Sequence, residues 1–366
     1  MKRRFYPVVI DEIRDEAPGV YSLFFINPNP EVFAYLPGQY MTVKVNLDGE
    51  ELRRCFSLSS SPICDERLCI TIKRIPGGRV TNYLREKVKV GDTLEIMPPM
   101  GHFAATPDPV QPRHYILIGG GSGITPLISI MKTVLLAEPE SEVSLWYGNR
   151  SEADIIFREE IMEWKKKYPE RLFLHLTLSQ PGENWKGFSG RLEKNRIYDL
   201  VSEVFMTSEL RKVYYICGPE GMIEGAYAAL DKHAVNHYDI YRELYTTSAP
   251  DSEEENPEEE PQETVISDGT ESYSMTTQMV KVIMDGETHE ISVAPDQVIL
   301  RAAIQANLDP PYACQSGICT TCRAMLYSGV ISMDETEGLS EEELNQGFIL
   351  TCQSHPLTND VEIEYR

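Results

Sequence analysis

Residues Cys314–Cys322 read Cys-Gln-Ser-Gly-Ile-Cys-Thr-Thr-Cys, and one more cysteine, Cys352, follows further along the chain. Gaps of four and two residues are the ligand spacing of one class of two-iron, two-sulfide cluster. Two irons bridged by two sulfides take four thiolates, three from a tight loop and one from elsewhere in the fold. Small residues and Gly317 let such a loop curl and direct its N–H groups at the sulfurs. The predicted ligands are Cys314, Cys319, Cys322 and Cys352. The alternatives are a zinc site, for which these gaps are unusual, and unliganded cysteines.

The sequence around this loop has the pattern of a small mixed domain over residues 279–366. Strands are expected at 279–284 and 288–294, and a helix at 297–307. Residues 246–278, which precede this domain, carry ten acidic residues, no Lys, Arg or His, and few large apolar side chains. Such a segment cannot bury enough surface to offset its ordering entropy, so an acidic flexible linker is predicted.

Two different patterns precede the linker. Residues 1–108 consist of short apolar or alternating runs bounded by Gly, Pro, Asn and Asp, which predicts an antiparallel β-barrel with a short helix at 79–87. In residues 109–245, apolar strands alternate with helical stretches, which predicts an α/β domain with a parallel sheet. Its four expected strands are 115–118, 143–147, 172–178 and 213–216. The expected architecture is therefore multidomain.

Composition narrows the functional classes. The chain has 366 residues, is 42% hydrophobic and carries a net charge of −23, which fits two or three packed domains. Residues 279–366 have a net charge of −10 and suit a partner with a basic docking surface, although acidity that aids solubility is the alternative. No basic stripe for nucleic acid, no signal-peptide core and no run of about 20 apolar residues for a membrane span is present. Eight cysteines in a chain of this size favour a cytoplasmic protein with a metal or redox site.

A second motif lies in the expected barrel, where Arg54–Ser60 reads Arg-Cys-Phe-Ser-Leu-Ser-Ser between Pro37–Tyr40 and Gly77–Leu84. An Arg can neutralise a flavin pyrophosphate, an aromatic ring can stack on the isoalloxazine, and a helix that opens with glycines offers amides to phosphate. Ordinary strands and turns explain each piece alone. The three in this order resemble the ferredoxin–NADP reductase family, with Phe56 in place of the family's Tyr and Thr81 where Ser is common.

The resemblance implies a flavin on the barrel, with FAD favoured over FMN. It also implies that the domain ending in Glu243–Tyr245 places Tyr245 over the flavin, a plain amphipathic chain end being the alternative. The expected flavin-binding residues are Arg54, Phe56, Ser57, Leu58, Lys73, Gly78, Val80, Thr81 and Tyr245.

A third motif, Ile116–Pro126, reads Ile-Leu-Ile-Gly-Gly-Gly-Ser-Gly-Ile-Thr-Pro. Glycines let backbone amides approach a pyrophosphate, and a helix N-terminus favours its charge. The turn departs from Gly-x-Gly-x-x-Gly and resembles instead the Gly-x-Gly-Ile-Thr-Pro turn of the same reductase family. The resemblance places Thr125, Cys217 and Glu243 at the hydride-transfer site. The expected nucleotide-binding residues are Gly120, Gly121, Gly123, Thr125, Pro126, Cys217, Gly218 and Pro219.

Two arginines are candidates for choosing between nucleotides. Arg150 follows the expected strand 143–147, and Arg191 closes the run Ser189-Gly190-Arg191. A cation that meets the 2′-phosphate selects NADPH over NADH. NAD(P)H is therefore expected, with NADPH favoured, and solvated surface arginines are the alternative.

Taken together, the three modules resemble the reductase components of bacterial multicomponent oxygenases. The C-terminal module resembles plant-type ferredoxins of the β-grasp fold, with Gln315 where many carry Arg, and the phrases Tyr147–Arg150 and Phe157–Glu160 resemble the phenylacetyl-CoA epoxidase reductase type. In such proteins the flavin accepts a hydride and releases electrons singly through the 2Fe–2S cluster. The resemblance implies an NAD(P)H-dependent oxidoreductase that supplies an oxygenase or desaturase, with a di-iron partner favoured. A Rieske oxygenase, another acceptor and a redox-sensing role stay open.

Overall fold

The structure, a computed structural model, describes residues 4–245, 264–265 and 276–365. Most of the predicted linker, 246–278, therefore lies outside the described residues. Inside it, a two-residue strand, β13 (Thr264–Val265), is present.

The described chain forms two compact units. One unit contains residues 4–5, the segment Asn46–Cys55 and the described residues after 245. The other contains Tyr6–Val45 and the described residues from Phe56 onward to 245.

The N-terminal strands form the predicted antiparallel fold. The strands are β1 (Tyr6–Ala17), β2 (Val20–Phe25), β3 (Tyr40–Leu47), β4 (Glu50–Ser57), β5 (Leu68–Lys73) and β6 (Thr93–Met100). They form one sheet in the order β4-β3-β6-β1-β2-β5. Leu58, directly after β4, makes an antiparallel bridge with Ile70 of β5, and this bridge joins the two ends of the sheet as a barrel requires. Helix α1 (Arg79–Glu86) is held by the Tyr21 hydroxyl, which donates to the Thr81 carbonyl at 2.8 Å.

The next domain is the predicted parallel sheet, with two more strands than expected. Its strands are β7 (Arg113–Gly120), β8 (Glu142–Asn149), β9 (Leu172–Leu178), β10 (Phe188–Ser189), β11 (Arg211–Gly218) and β12 (Ile240–Leu244). Its helices are α2 (Ile124–Ala137), α3 (Arg158–Lys167), α4 (Lys194–Thr207) and α5 (Glu220–Lys232). The strand order is β10-β9-β8-β7-β11-β12.

Helices cover both faces of this sheet, so its central strand is apolar on both sides. In β7, Tyr115 and Leu117 belong to the core packed by α2, whereas Ile116 and Ile118 belong to the core packed by α4 and α5. All strand pairs in this sheet are parallel, so the carboxyl ends of the strands lie along one edge. That edge is where parallel sheets bind their ligands.

Helix α4 is the largest feature that the sequence patterns did not predict. Its buried positions, Ile197, Leu200, Val201 and Val204, follow the helical spacing, but no side chain caps its N-terminus at Glu193. The start of α3 is set by the backbone, because the helix begins at Arg158 directly after Phe157, which has a left-handed φ of 58°. A residue in that conformation cannot continue a right-handed helix.

The C-terminal domain has the β-grasp arrangement of a mixed sheet with one helix against it. Its elements are β14 (Gln278–Met284), β15 (Glu287–Val293), α6 (Ile299–Gln305), β16 (Arg323–Ser328), β17 (Ile331–Met333), α7 (Glu341–Asn345), β18 (Phe348–Leu350), β19 (Ser354–Pro356) and β20 (Val361–Tyr365). The main sheet has the order β15-β14-β20-β16-β18, and a small sheet has the order β13-β17-β19. Within the described ranges, no helix is long and apolar enough to cross a membrane.

A buried lysine ties α2 to a barrel loop and to α3. Lys132 in α2 is 5% exposed, and its Nζ lies 2.6 Å from Asp65 Oδ2 and 3.0 Å from Glu160 Oε1. Burial lowers the pKa of Lys132, but the two carboxylates outweigh burial and raise the pKa above its ordinary value. Lys132 is therefore charged at neutral pH and holds three elements together.

Replacing Lys132 by Ala should destabilise this part of the chain. Loss of hydrogen bonds to charged partners costs about 2 kcal/mol, which lowers the apparent Tm by roughly 4–8 °C in a domain of this size. Differential scanning fluorimetry of K132A measures the change. K166A, which removes an exposed lysine in the last turn of α3, is the control and should leave Tm unchanged. Equal Tm values for K132A and wild type would contradict the assignment.

Candidate active site and metal centre

Five polar side chains meet at the carboxyl edge of the parallel sheet. Ser57 Oγ donates to Glu243 Oε2 at 2.9 Å and lies 2.7 Å from the Tyr245 hydroxyl. The same hydroxyl lies 2.9 Å from Thr125 Oγ1, and Cys217 Sγ lies 4.0 Å from Glu243 Oε2. The group, called the polar cluster below, combines the three expected hydride-site residues with two expected flavin-binding residues.

Four elements position the polar cluster. Ser57 ends β4, Thr125 stands in the first turn of α2, and Cys217 lies near the end of β11. Parallel pairing of β11 with β12 sets Cys217 directly beside Glu243. Tyr245 follows β12, so the chain end of this domain completes the group.

The Glu243 carboxyl group is the titratable centre of the polar cluster. Burial raises its pKa to about 7, although hydrogen bonds from Ser57 and Tyr245 favour the ionised form. Burial and the nearby Glu243 also raise the pKa of the Cys217 thiol well above its ordinary value. At neutral pH, Cys217 is a neutral thiol and Glu243 is divided between its two protonation states.

The two glycine-containing turns of the nucleotide motif pack backbone against backbone. A Cβ at Gly123 would lie 2.0 Å from the Cys217 carbonyl oxygen, and a Cβ at Gly218 would lie 2.9 Å from the Gly120 amide nitrogen. A Cβ at Gly120 would lie 2.7 Å from Pro219. These positions accept only glycine without backbone movement, so the expected residues of both turns are brought together and leave a narrow backbone cradle that fits a dinucleotide pyrophosphate.

Two further side chains border this cradle. Lys73 Nζ lies 3.8 Å from the position that a Cβ on Gly121 would occupy, so the expected flavin-site lysine stands beside the glycine turn. Tyr147 donates from its hydroxyl to the Gly121 carbonyl at 2.8 Å. Tyr147 was not among the predicted site residues. The sequence indicated that Tyr147 makes a polar contact, because a tyrosine within an apolar buried strand needs a polar partner for its hydroxyl.

The expected flavin phosphate residues lie at the start of α1 and on β4. The N-cap residue of α1 is Gly78, which has no side chain to cap the helix. A Cβ on Gly78 would lie 2.7 Å from Thr81 Oγ1. Val80 and Thr81 are buried in the first turn, and the half-buried Arg54 donates from Nη1 to the Arg53 carbonyl at 2.8 Å. An uncapped helix start and a half-buried guanidinium fit a phosphate-bearing flavin.

Leu58 and Phe56 differ in their surroundings. The Leu58 side chain is fully buried, and its amide donates to the Gln39 carbonyl at 2.9 Å, so this residue supports the barrel. Phe56 is half-buried.

The two candidate arginines are exposed at the carboxyl edge of the sheet. Arg150 follows β8 directly, and Arg191 follows β10 by two residues. Between them, the Gln180 amide donates to the Arg150 carbonyl at 2.7 Å.

The four motif cysteines come together as two pairs. A hydrogen bond between thiols joins Cys314 to Cys319, and another joins Cys322 to Cys352. Each of these four cysteines is a free thiol. Within the described parts of the chain, no three Cys, His, Asp or Glu side chains surround a single ion position. Two pairs of thiols match the ligand set of two irons, each of which takes two thiolates and shares two sulfides.

Backbone amides are directed at the sulfurs of this loop. The amides of Ser316 and Cys319 donate to Cys314 Sγ at 3.4 and 3.3 Å, and the Cys314 amide donates to Cys319 Sγ at 3.5 Å. The turn needs positive φ at Gln315 (59°) and Gly317 (74°). Donors to thiolate sulfur stabilise the negative charge of a cluster, so the loop fits the predicted 2Fe–2S group.

The protonated thiols set a requirement for cluster binding. A hydrogen bond with Cys319 and burial raise the pKa of Cys314, and hydrogen bonding with Cys352 and burial raise the pKa of Cys322. Metal ligation needs thiolates, so cluster insertion must release these protons.

Comparison with known domain families supports the three modules. Residues 12–104 match the oxidoreductase FAD-binding domain, residues 117–227 the oxidoreductase NAD-binding domain, and residues 282–357 the 2Fe-2S iron-sulfur cluster binding domain. The protein is an oxidoreductase with FAD, nicotinamide and 2Fe–2S sites.

Relatives of known function match the chain along nearly its whole length. The chain is 35% identical to one of the subunits of 1,2-phenylacetyl-CoA epoxidase from Escherichia coli K12, over 99% of this chain and 98% of the relative. It is 30% identical to the ferredoxin reductase component of 3-ketosteroid-9-alpha-monooxygenase from Rhodococcus rhodochrous, over 98% and 96%. Among solved structures, phthalate dioxygenase reductase matches with a TM-score of 0.58 and 22% identity over 99% of this chain and 98% of that one, which supports the fold. The chain belongs to the family of flavin- and 2Fe–2S-dependent reductase components of oxygenases.

Proposed function

We propose that the protein takes hydride from NAD(P)H and delivers electrons one at a time, through its 2Fe–2S domain, to the oxygenase component of a phenylacetyl-CoA epoxidase-like enzyme with a di-iron centre. The polar cluster carries the hydride half of this proposal, because it joins residues of the flavin and nicotinamide motifs within hydrogen-bonding distance. The 35% identity to the epoxidase protein, along nearly the full length of both chains, supports the choice of partner.

The residues of the polar cluster divide the work of hydride transfer. When bound, FAD would supply the hydride acceptor, and the nicotinamide ring that gives up the hydride would become positively charged. Ionised Glu243 stabilises that developing charge, while Ser57 and Tyr245 hold its carboxylate through hydrogen bonds. Thr125 holds the Tyr245 hydroxyl, and the neutral Cys217 thiol fills the dry space beside Glu243.

A second candidate acceptor has its own support. The 30% identity to the reductase component of a ketosteroid monooxygenase, again along almost the whole chain, favours a different oxygenase partner. The acidic C-terminal domain, with a net charge of −10 over 279–366, suits a basic docking surface on either partner.

Anaerobic titration of the purified protein with NADPH and, separately, NADH tests the electron path. Flavin bleaching in the visible spectrum, together with a rhombic EPR signal from the reduced cluster, supports it. Flavin reduction with a cluster that stays oxidised contradicts it. The partner is tested by adding the oxygenase components of the E. coli epoxidase and phenylacetyl-CoA, where nucleotide oxidation coupled to epoxide formation is expected.

Glu243→Gln should slow hydride transfer and remove its pH dependence near 7. The wild-type rate rises with pH as Glu243 ionises around its pKa of about 7. A glutamine cannot ionise, so the rate at pH 8 falls by about 100-fold, the usual cost of losing one group that stabilises developing charge. Stopped-flow bleaching of the flavin between about pH 6 and 9, a range that spans the titration, measures both effects. E163Q, on an exposed face of α3, should behave as wild type, and a surviving inflection in E243Q would refute the assignment.

Cys322→Ser should separate the two halves of the electron path. Loss of one thiolate from the Cys322–Cys352 pair leaves one iron without its ligand set. The visible cluster absorption and the EPR signal should disappear, while NAD(P)H still bleaches the flavin. C64S, at an exposed cysteine outside the two pairs, should keep the cluster. A full cluster signal in C322S would show that Cys322 is not a ligand.

Arg150→Ala and Arg191→Ala test the choice of nucleotide. Loss of a charge-assisted hydrogen bond to the 2′-phosphate should raise KM for NADPH by about 10- to 100-fold, with KM for NADH unchanged. Steady-state dye reduction with each nucleotide provides both constants. R158A, at the exposed start of α3, is the control. Equal changes for both nucleotides would rule out 2′-phosphate recognition at that position.

A further inference from the structure

Arg53, the neighbour of the expected flavin ligand Arg54, is buried within the unit that contains the ferredoxin domain. Only 5% of its surface is exposed, which is rare for an arginine. A buried guanidinium needs compensation for its lost hydration, so its contacts must be strong and complete.

The surroundings of Arg53 supply that compensation from both sides. Its Nη2 lies 2.7 Å from Glu51 Oε1 on the same strand and 3.1 Å from Asp309 Oδ1 of the ferredoxin domain, and its Nη1 lies 3.5 Å from the Pro310 carbonyl. Its guanidinium centre lies 4.0 Å from the ring centroid of Tyr312. These contacts fall on the segment Asp309–Tyr312, which leads directly into Cys314.

A second contact lies two residues further along β4. Cys55 Sγ is 3.8 Å from Thr321 Oγ1, and that hydroxyl is 3.4 Å from Cys319 Sγ. Side chains two apart on a strand share a face, so Arg53 and Cys55 both point to the cysteine loop while Arg54 points to the opposite face. Strand β4 therefore presents Arg53 and Cys55 to the predicted metal centre.

We propose that Arg53 is a positioning residue that keeps the cysteine loop seated on β4 throughout turnover, so that the ferredoxin domain serves its acceptor without leaving that strand. The proposal rests on the proposed function for its consequence: the hydride of NAD(P)H would supply two electrons and one proton, a bound flavin would pass the electrons on singly so that the one cluster is reduced twice, and the proton would be released to solvent. Planar guanidinium geometry suits the task, because one group serves two carboxylates, a carbonyl and a ring together.

Two measurements test Arg53 in the full-length holoprotein. Hydrogen–deuterium exchange of the unreduced protein should show exchange in residues 309–319 faster by about tenfold or more in R53A, as expected when charge-assisted hydrogen bonds are lost. In stopped-flow with the better nucleotide, flavin bleaching should stay within about twofold of wild type, a change typical of a neutral substitution, and cluster reduction should slow by about tenfold or more.

Matched variants make each outcome decisive. R67A removes an arginine that also pairs with two carboxylates, Asp11 and Glu12, and lies over a ring, but in the other unit, and it should change neither measurement. R53K keeps the charge, loses the planar fork and should show both effects in weaker form.

The outcomes separate this proposal from the proposed function. If R53A changes neither the hydrogen–deuterium exchange of residues 309–319 nor the rate of cluster reduction, the proposal is overturned. If exchange in R53A rises throughout the chain, R53K decides: a rise confined to 309–319 supports the proposal, and no rise overturns it. A wild-type cluster that NAD(P)H does not reduce refutes the proposed function, while the exchange result still tests the Arg53 contact.

Discussion

The active site depends on the contact between the backbones of two turns, one after β7 and one at the end of β11. The carbonyl of Cys217 occupies the space that a side chain on Gly123 would need, 2.0 Å from its Cβ position. This approach brings the first turn of α2 and the end of β11 to the same point, so Thr125 and Cys217 face one small space. The strand register adds the third residue, because parallel pairing of β11 with β12 sets Glu243 beside Cys217. A larger residue at Gly123 would separate the strands that carry the polar groups, and both the phosphate cradle and the polar cluster would be lost together.

Exclusion of water gives the polar cluster its chemical character. An exposed glutamate is ionised at neutral pH, whereas burial brings the pKa of Glu243 to about 7 and hydrogen bonds from Ser57 and Tyr245 restrain the rise. The carboxylate is thus close to the balance point between its two forms. Under the proposed function, a cationic nicotinamide would favour the ionised form of Glu243, and by linkage the ionised form would favour the oxidised nucleotide. The residue proposed to assist hydride release would then also make oxidised nucleotide bind more tightly as pH rises.

Local patterns in the sequence were sufficient wherever the chemistry needs a short segment. The alternation of strands and helices predicted the parallel sheet that the structure contains, and the Cys314–Cys322 spacing and the glycine turn before Thr125 predicted the two domain types that the family comparisons match. Helix α4 was missed because its apolar stripe, from Ile197 to Val204, is narrow and its N-terminus lacks a capping side chain. The contacts of Tyr147 and Arg53 could not be predicted, because each joins residues that are distant in the chain: Tyr147 reaches Gly121, and Arg53 reaches Asp309. A motif identifies the residues that bind a cofactor, but it does not identify the side chains that hold the motif in place.

The two faces of β4 explain why an arginine next to a flavin-motif arginine has a different role. Strand alternation places Arg53 and Arg54 on opposite faces of β4, so the proposed role of Arg53 at the cysteine loop and the expected role of Arg54 at the flavin would not compete. The partners of Arg53 are themselves exposed, with 39% of the Glu51 side chain and 53% of the Asp309 side chain open to solvent. Only the arginine is desolvated, and each carboxylate keeps part of its hydration, so the ion pairs avoid most of the penalty of a fully buried pair. A lysine at this position would keep the charge, but its single ammonium could not stack on Tyr312 while bonding two carboxylates, which makes the guanidinium itself the feature that seats the cysteine loop.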